Sequence, residues 1–226
     1  MSKIIVALDV PTLAEADAIA RSLLAEVGGF KVGMELLMAA GPTAIESIAG
    51  HGLPVFADAK LHDIPNTVER AATQIHSAGA RWVTVHAGGG VEMIRAANSG
   101  MGGTGVLVVT ALTSLSSDDL PAIGIGATLQ DHVARMTGLA AGSSAEGVVC
   151  SPAEIRTVRE RGDGLTIFTP GLRPKTSTSD DQKRVATPEQ AMRDGADYLV
   201  IGRPITRADD PVDSARKIAA SIAPFD

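Results

Sequence analysis

The stretch Asp58-Ala59-Lys60-Leu61-His62-Asp63-Ile64-Pro65-Asn66-Thr67 brings two carboxylates and an ammonium into one short segment. The apolar residues 53–57 precede it and read as a buried strand. Strand side chains alternate faces, so Asp58 and Lys60 point the same way, with Asp63 just past the strand end. Charge gathered at such a place is costly to bury unless it is tightly paired. A lysine held against carboxylates can also deliver or receive a proton. Spacing alone leaves both readings open, a solvated salt bridge and a catalytic centre.

Further charges sit at comparable places. Asp9 closes the run Ile4–Asp9, Lys31 lies inside the apolar segment Phe30-Lys31-Val32-Gly33, and His86 ends Trp82–His86. A lysine within an apolar strand either snorkels to an edge or faces inward for function, and its recurrence with Asp58 and Lys60 favours function. Near the C-terminus, Gly202-Arg203-Pro204 follows an apolar run. Gly202 permits close approach of an anion to the backbone, and Arg203 offers a bidentate fork for phosphate. Arg173 and Gln182, in a preceding polar loop, are candidates to close on the same anion.

These residues require an element pattern that brings strand ends together. Eight runs rich in Val and Ile are candidate parallel strands: Ile4–Asp9, Phe30–Met34, Val55–Lys60, Trp82–His86, Gly105–Leu112, Gly147–Cys150, Thr166–Pro170 and Tyr198–Gly202. Helical periodicity separates them, clearest in Leu13, Ala16, Ala20, Leu23 and in Val212, Ala215, Ile218, Ile222. Thr12 and Thr187-Pro188 read as helix starts. The alternation predicts an α/β fold, a (β/α)8 TIM barrel in a single domain over 1–226, with an open doubly wound sheet as the competitor. A barrel places its active site at the C-terminal strand ends, where these charges fall. The long loop at about 171–187 has the polar, small-residue composition of a closing lid.

Composition narrows the class. With 226 residues, 45% hydrophobic and 20% charged, one domain with a sizeable core is expected. Aromatics are 3%, so the core is expected to be built from Val, Ile, Leu, Ala and Met. A net charge of −6, without basic runs, argues against a nucleic-acid surface. The single Cys150 excludes an internal disulfide and reads as a buried thiol. His51, His76 and His132 lack metal-ligand spacing, and His62 is as well placed for support as for reaction. No signal-peptide pattern and no span-length apolar stretch occur, so the protein is expected to be soluble and cytoplasmic, with no membrane partner. Gly100-Met101-Gly102-Gly103-Thr104-Gly105 matches a dinucleotide fingerprint in letters only, because it precedes a strand instead of following one.

The chain resembles the orotidine 5′-phosphate decarboxylase family over nearly its whole length. The most specific match is Asp58-x-Lys60-x-x-Asp63-Ile64-Pro65-Asn66-Thr67. Leu8-Asp9, Lys31-Val32-Gly33, Leu112-Thr113-Ser114, Thr169-Pro170-Gly171-Leu172-Arg173, Asp181-Gln182 and Ile201-Gly202-Arg203 support it. Related barrels acting on 3-keto-gulonate 6-phosphate or hexulose 6-phosphate share D-x-K-x-x-D, and Ile64 to Thr67 favours the orotidylate branch. The resemblance implies conversion of orotidine 5′-phosphate to UMP and CO2, the last step of de novo pyrimidine nucleotide synthesis, without metal or organic cofactor. It implies Lys60 as proton donor, Asp58 beside the substrate carboxylate, and Lys31 and Asp63 completing the charge network. It also implies ribose contacts from Asp9 and Lys31, and Thr113 at the pyrimidine edge. Ile64, Thr67 and Pro170 join the substrate contacts, and Arg173, Gln182, Gly202 and Arg203 hold the phosphate. Asp63 and Thr67 would reach the neighbouring subunit's site, making a homodimer. Two rivals are a Mg²⁺-dependent sugar-phosphate lyase and a non-catalytic phosphate-binding barrel.

Overall fold

The computed structural model describes residues 2–173 and 186–225. Eight parallel strands close a barrel in sequence order: β1 (Ile4–Ala7), β2 (Gly29–Val32), β3 (Val55–Leu61), β4 (Trp82–His86), β5 (Val106–Val109), β6 (Gly147–Val149), β7 (Thr166–Thr169) and β8 (Tyr198–Ile201), with β8 pairing back onto β1. Every expected strand is present, and the closed ladder excludes the open sheet. The fifth is shorter than its apolar run, because 111–113 turn away to form a wall of the cavity described below.

Helices surround the barrel. They are α1 (Leu13–Leu23), α2 (Met34–Ala40), α3 (Thr43–Ala49), α4 (Pro65–Ser77), α5 (Gly90–Gly100), α6 (Leu129–Ala141), α7 (Ile155–Arg161), α8 (Pro188–Asp194), α9 (Arg203–Thr206) and α10 (Pro211–Ile222). The expected caps form: the Thr12 side chain accepts the Glu15 amide, and Thr187 accepts that of Gln190, with Pro188 opening α8. The β2–β3 connection holds two helices, not one. The break falls at Gly41-Pro42, where proline has no N–H to continue the α2 ladder. Of the glycines at 100–105, Gly100 and Gly105 serve packing, while Gly102 and Gly103 form a turn at positive φ. A Cβ on Gly100 would lie 2.3 Å from the Glu69 carbonyl oxygen on α4, so the close α4–α5 contact requires glycine there.

Two apolar layers explain why the strands read as continuous hydrophobic runs. Outward residues such as Ile4, Val6, Val32, Val83, Val108, Ile167 and Leu199 pack with the helices. Inward residues Ile5, Ala7, Phe56, Trp82, Leu107, Phe168 and Val200 fill the barrel. Here the expectation of a purely aliphatic core needs correction. The only Trp and Tyr, with two of the four Phe, are concentrated inside the barrel. Phe168 stacks on Tyr198 at 4.6 Å between ring centroids, and Trp82 meets Phe168 edge-on at 5.1 Å. Eight strands leave a lumen that a few large rings can fill, so scarce aromatics suffice.

Glu146 anchors this plug. Its carboxylate accepts hydrogen bonds from the Trp82 indole (2.7 Å), both terminal Arg81 nitrogens (2.9 Å each), the Thr104 hydroxyl (2.6 Å) and the Gly105 amide (2.9 Å). These donors outweigh burial and hold its pKa below the usual carboxylate range. Glu146→Ala strands the indole and the Gly105 amide together. It is expected to lower stability by about 2–3 kcal/mol in urea unfolding, while Glu146→Gln, which keeps an acceptor, loses less.

Candidate active site

The C-terminal ends of the first three strands carry the charged centre. Register places Lys31 of β2 beside Ala7 of β1 and Phe56 of β3, so Asp9 and Asp58, each two residues further on, flank it. The Lys31 ammonium lies 2.9 Å from Asp9 Oδ1 and 3.4 Å from Asp58 Oδ2, and the Lys60 ammonium lies 2.8 Å from Asp58 Oδ2. Asp9, Lys31, Asp58 and Lys60 thus form one chain of alternating charge. Lys31 is 9% exposed and Asp58 14%, against 51% for Asp9 and 34% for Lys60, so the two inner charges are buried and the chain opens toward both ends.

Burial acts against both inner charges and is overcome. Desolvation pushes the Lys31 pKa down, but Asp58 and Asp9 more than reverse it, and the net shift is upward. Desolvation pushes Asp58 up, but Lys31 and Lys60, with the Thr84 hydroxyl, carry it below the ordinary carboxylate value. Close approach also depends on Gly33, because a Cβ there would sit 2.4 Å from Asp9 Oδ1 and 2.7 Å from Lys31 Nζ.

A cavity of about 440 Å³ opens above this centre. Asp9, Lys31, Asp58, Lys60, Thr113, Pro170, Arg173, Gly202 and Arg203, all singled out from sequence, line it. Asp63, Ile64 and Thr67 do not. They lie in the exposed run 62–67, where Asp63 accepts the Ile64 amide at 2.6 Å and Ile64 is 66% exposed. Asp63 therefore stands apart from the ion-pair chain, whose second carboxylate is Asp9. Gln182 and most of the loop at 171–187 fall outside the described residues. That segment is flanked by a bridge between Leu172 and Ala186.

The structure adds residues that sequence reasoning passed over. Thr84, fully buried on β4, donates to Asp58 Oδ1 at 3.0 Å. Its signal is a polar residue on the inward side of Trp82–His86, between Trp82 and His86. Glu35, on the first turn of α2, and Arg207, following α9, line the cavity, and nothing in their local pattern sets them apart. His86 stands with its ring 5.5 Å from that of His62, and burial, then His62 and Lys60, hold its pKa below the usual imidazole value. Cys150 is buried, as expected.

A closed parallel barrel with buried ion pairs at its C-terminal strand ends, beneath a cleft that three arginines line, defines a (β/α)8-barrel enzyme. The sequence profile described as "Orotidine 5′-phosphate decarboxylase / HUMPS family" matches residues 2–218, and the chain belongs to that family. An orotidine 5′-phosphate decarboxylase of Anaeromyxobacter sp. (strain K) is 50% identical over 222 residues, covering 97% of this chain and 98% of the relative. The crystal structure of orotidine 5′-phosphate decarboxylase from Lactobacillus acidophilus is 34% identical, with a TM-score of 0.83 over 98% of this chain and 99% of that one. An uncharacterized conserved protein from Geobacillus kaustophilus superposes with a TM-score of 0.84 at 36% identity, covering 97% and 99%.

The shifts predict a pH dependence. Asp58 has a folded pKa below its ordinary 3.8, so its stabilising contribution is present above that value and is lost as pH falls through the folded pKa. Lys31 is raised above 10.5, so its contribution is present below that value and is lost as pH climbs through the folded pKa. In urea unfolding, the stability gap between the parent chain and Asp58→Asn is expected to be constant near neutrality and to shrink below pH 3.8.

Proposed function

We propose that this chain decarboxylates orotidine 5′-phosphate to UMP and CO2, without metal or organic cofactor. The alternating chain Asp9–Lys31–Asp58–Lys60 at the base of the cleft carries the reading, in a chain half identical to relatives named for that reaction. In the reaction the bond from C6 to the carboxylate breaks, CO2 departs, and the electron pair stays on C6. With no cofactor to accept that pair, positive charge already in place must stabilise it. Lys60 supplies the charge and then the proton, its Nζ–H bond breaking as C6–H forms; the neutral amine regains a proton from water. Asp58, beside the departing carboxylate, adds like-charge repulsion that CO2 loss relieves. Lys31 keeps Asp58 ionised and, with Asp9, takes the ribose.

Arg173, Gly202 and Arg203, with Gln182, take the phosphate, and Thr113 and Pro170 border the pyrimidine. Phosphate binding far from C6 supplies energy for positioning the reacting carbon. The exposed run that carries Asp63, Ile64 and Thr67 supports a homodimer in which these residues reach the partner's cleft. Asp63 then joins the charge network from across the interface. The same reading keeps the chain a single catalytic domain working in the cytoplasm.

The test is incubation of EDTA-treated protein with orotidine 5′-phosphate, following UMP formation. Metal-free conversion supports the reading. No conversion, with turnover of a 3-keto sugar phosphate on adding Mg²⁺, overturns it. Lys60→Ala is expected to remain folded by circular dichroism and to lose more than about a thousandfold in kcat. Arg203→Ala is expected to raise KM about tenfold to a hundredfold with a smaller change in kcat, because its partner is the non-reacting phosphate.

A further inference from the structure

We propose that Thr84 is a positioning residue for the proton-donating lysine, an inference that rests on the role of Lys60 given above. Strand β3 does not run regularly into the site. Ala57 pairs with Val83 and Leu61 with Val85, so four steps along β3 match two along β4. Asp58, Ala59 and Lys60 therefore leave the ladder as a bulge, and the Lys60 amide loses its strand partner. Lys60 also has φ 48°, in the left-handed region that non-glycine residues enter at a cost.

Thr84 meets both needs with one hydroxyl. The Lys60 amide donates to Thr84 Oγ1 at 2.9 Å, and the same hydroxyl donates to Asp58 Oδ1 at 3.0 Å. Thr84 is 0% exposed, so water does not compete for either bond. Its proton on Oδ1 fixes the rotation of the Asp58 carboxylate and leaves Oδ2 for the ammonium groups of Lys60 and Lys31. Backbone and side chain of Lys60 are thus held from two directions by one residue. Thr84 itself does not line the cavity. Its contribution is the aim of the Lys60 ammonium, and misplacement of about 1 Å at a reacting group can lower a rate a hundredfold.

Thr84→Val keeps shape and removes the hydroxyl, whereas Thr84→Ser keeps it. With orotidine 5′-phosphate, Thr84→Val is expected to lose about tenfold to a hundredfold in kcat with KM within about twofold, and Thr84→Ser to restore kcat. Amide exchange of Lys60, read by NMR without substrate, is expected to quicken at least about tenfold in Thr84→Val and to stay near the parent rate in Thr84→Ser. A folded Thr84→Val with parental kcat, or with raised KM and unchanged kcat, overturns the proposal. So does a Thr84→Ser that fails to restore kcat. If Thr84→Val does not fold, Thr84→Ala carries the same comparison without a methyl against the carboxylate. If the parent chain converts no orotidine 5′-phosphate, the reaction assignment fails, and exchange alone judges the positioning. Unchanged Lys60 exchange in the variant then overturns it.

Discussion

A buried ammonium cannot stand without counter-charge, and Lys31 imposes that constraint on this barrel. Removing a lysine from water costs several kcal/mol unless anions compensate. Asp9 and Asp58 do so from the neighbouring strand ends, and the closed ladder makes them neighbours. Gly33 is small so that Asp9 can approach, and Asp58, once ionised, holds Lys60 in turn. The array is coupled, since loss of Lys31 or Asp58 leaves opposite charges without their shared buried partner.

The barrel separates stability from chemistry along its axis. Phe56, Trp82, Phe168 and Tyr198 fill the lumen, and Glu146 ties Trp82 to Arg81 and the 104–105 turn just before β5. The charges stand at the other ends of the strands, on this dry aromatic base. A water-poor base strengthens electrostatic interactions above it, which is what a reaction that develops negative charge on carbon requires. At the site, strain falls on the bulge of β3, where Lys60 is held out of regular strand geometry.

Much of this is legible in the sequence. Strand runs covered on both faces read as continuous Val- and Ile-rich segments, and all eight stood out. Asp9, Lys31, Asp58 and Lys60 were visible because charge in or beside such runs is anomalous, and Arg203 because it follows glycine at a strand end. Thr84 was not visible, because a threonine is ordinary in a strand and its importance depends on the residue across the ladder. The aromatic plug was missed for a related reason: composition counts rings without locating them, and a narrow lumen needs few.

Asp63 shows the limit most clearly. In sequence it sits beside Asp58 and Lys60, but the chain turns into α4 and carries it to an exposed rim, while Asp9, far away in sequence, supplies the second contacting carboxylate. The amino-acid sequence by itself determined the alternating strands and helices and the residue types able to do the chemistry, because periodicity and misplaced charge are local signals, whereas closure of the barrel came only from β8 pairing with β1. Only the tertiary structure decided which carboxylate pairs with which lysine and how the β3 bulge aims Lys60. Those depend on register between strands, which is settled by packing across the sheet.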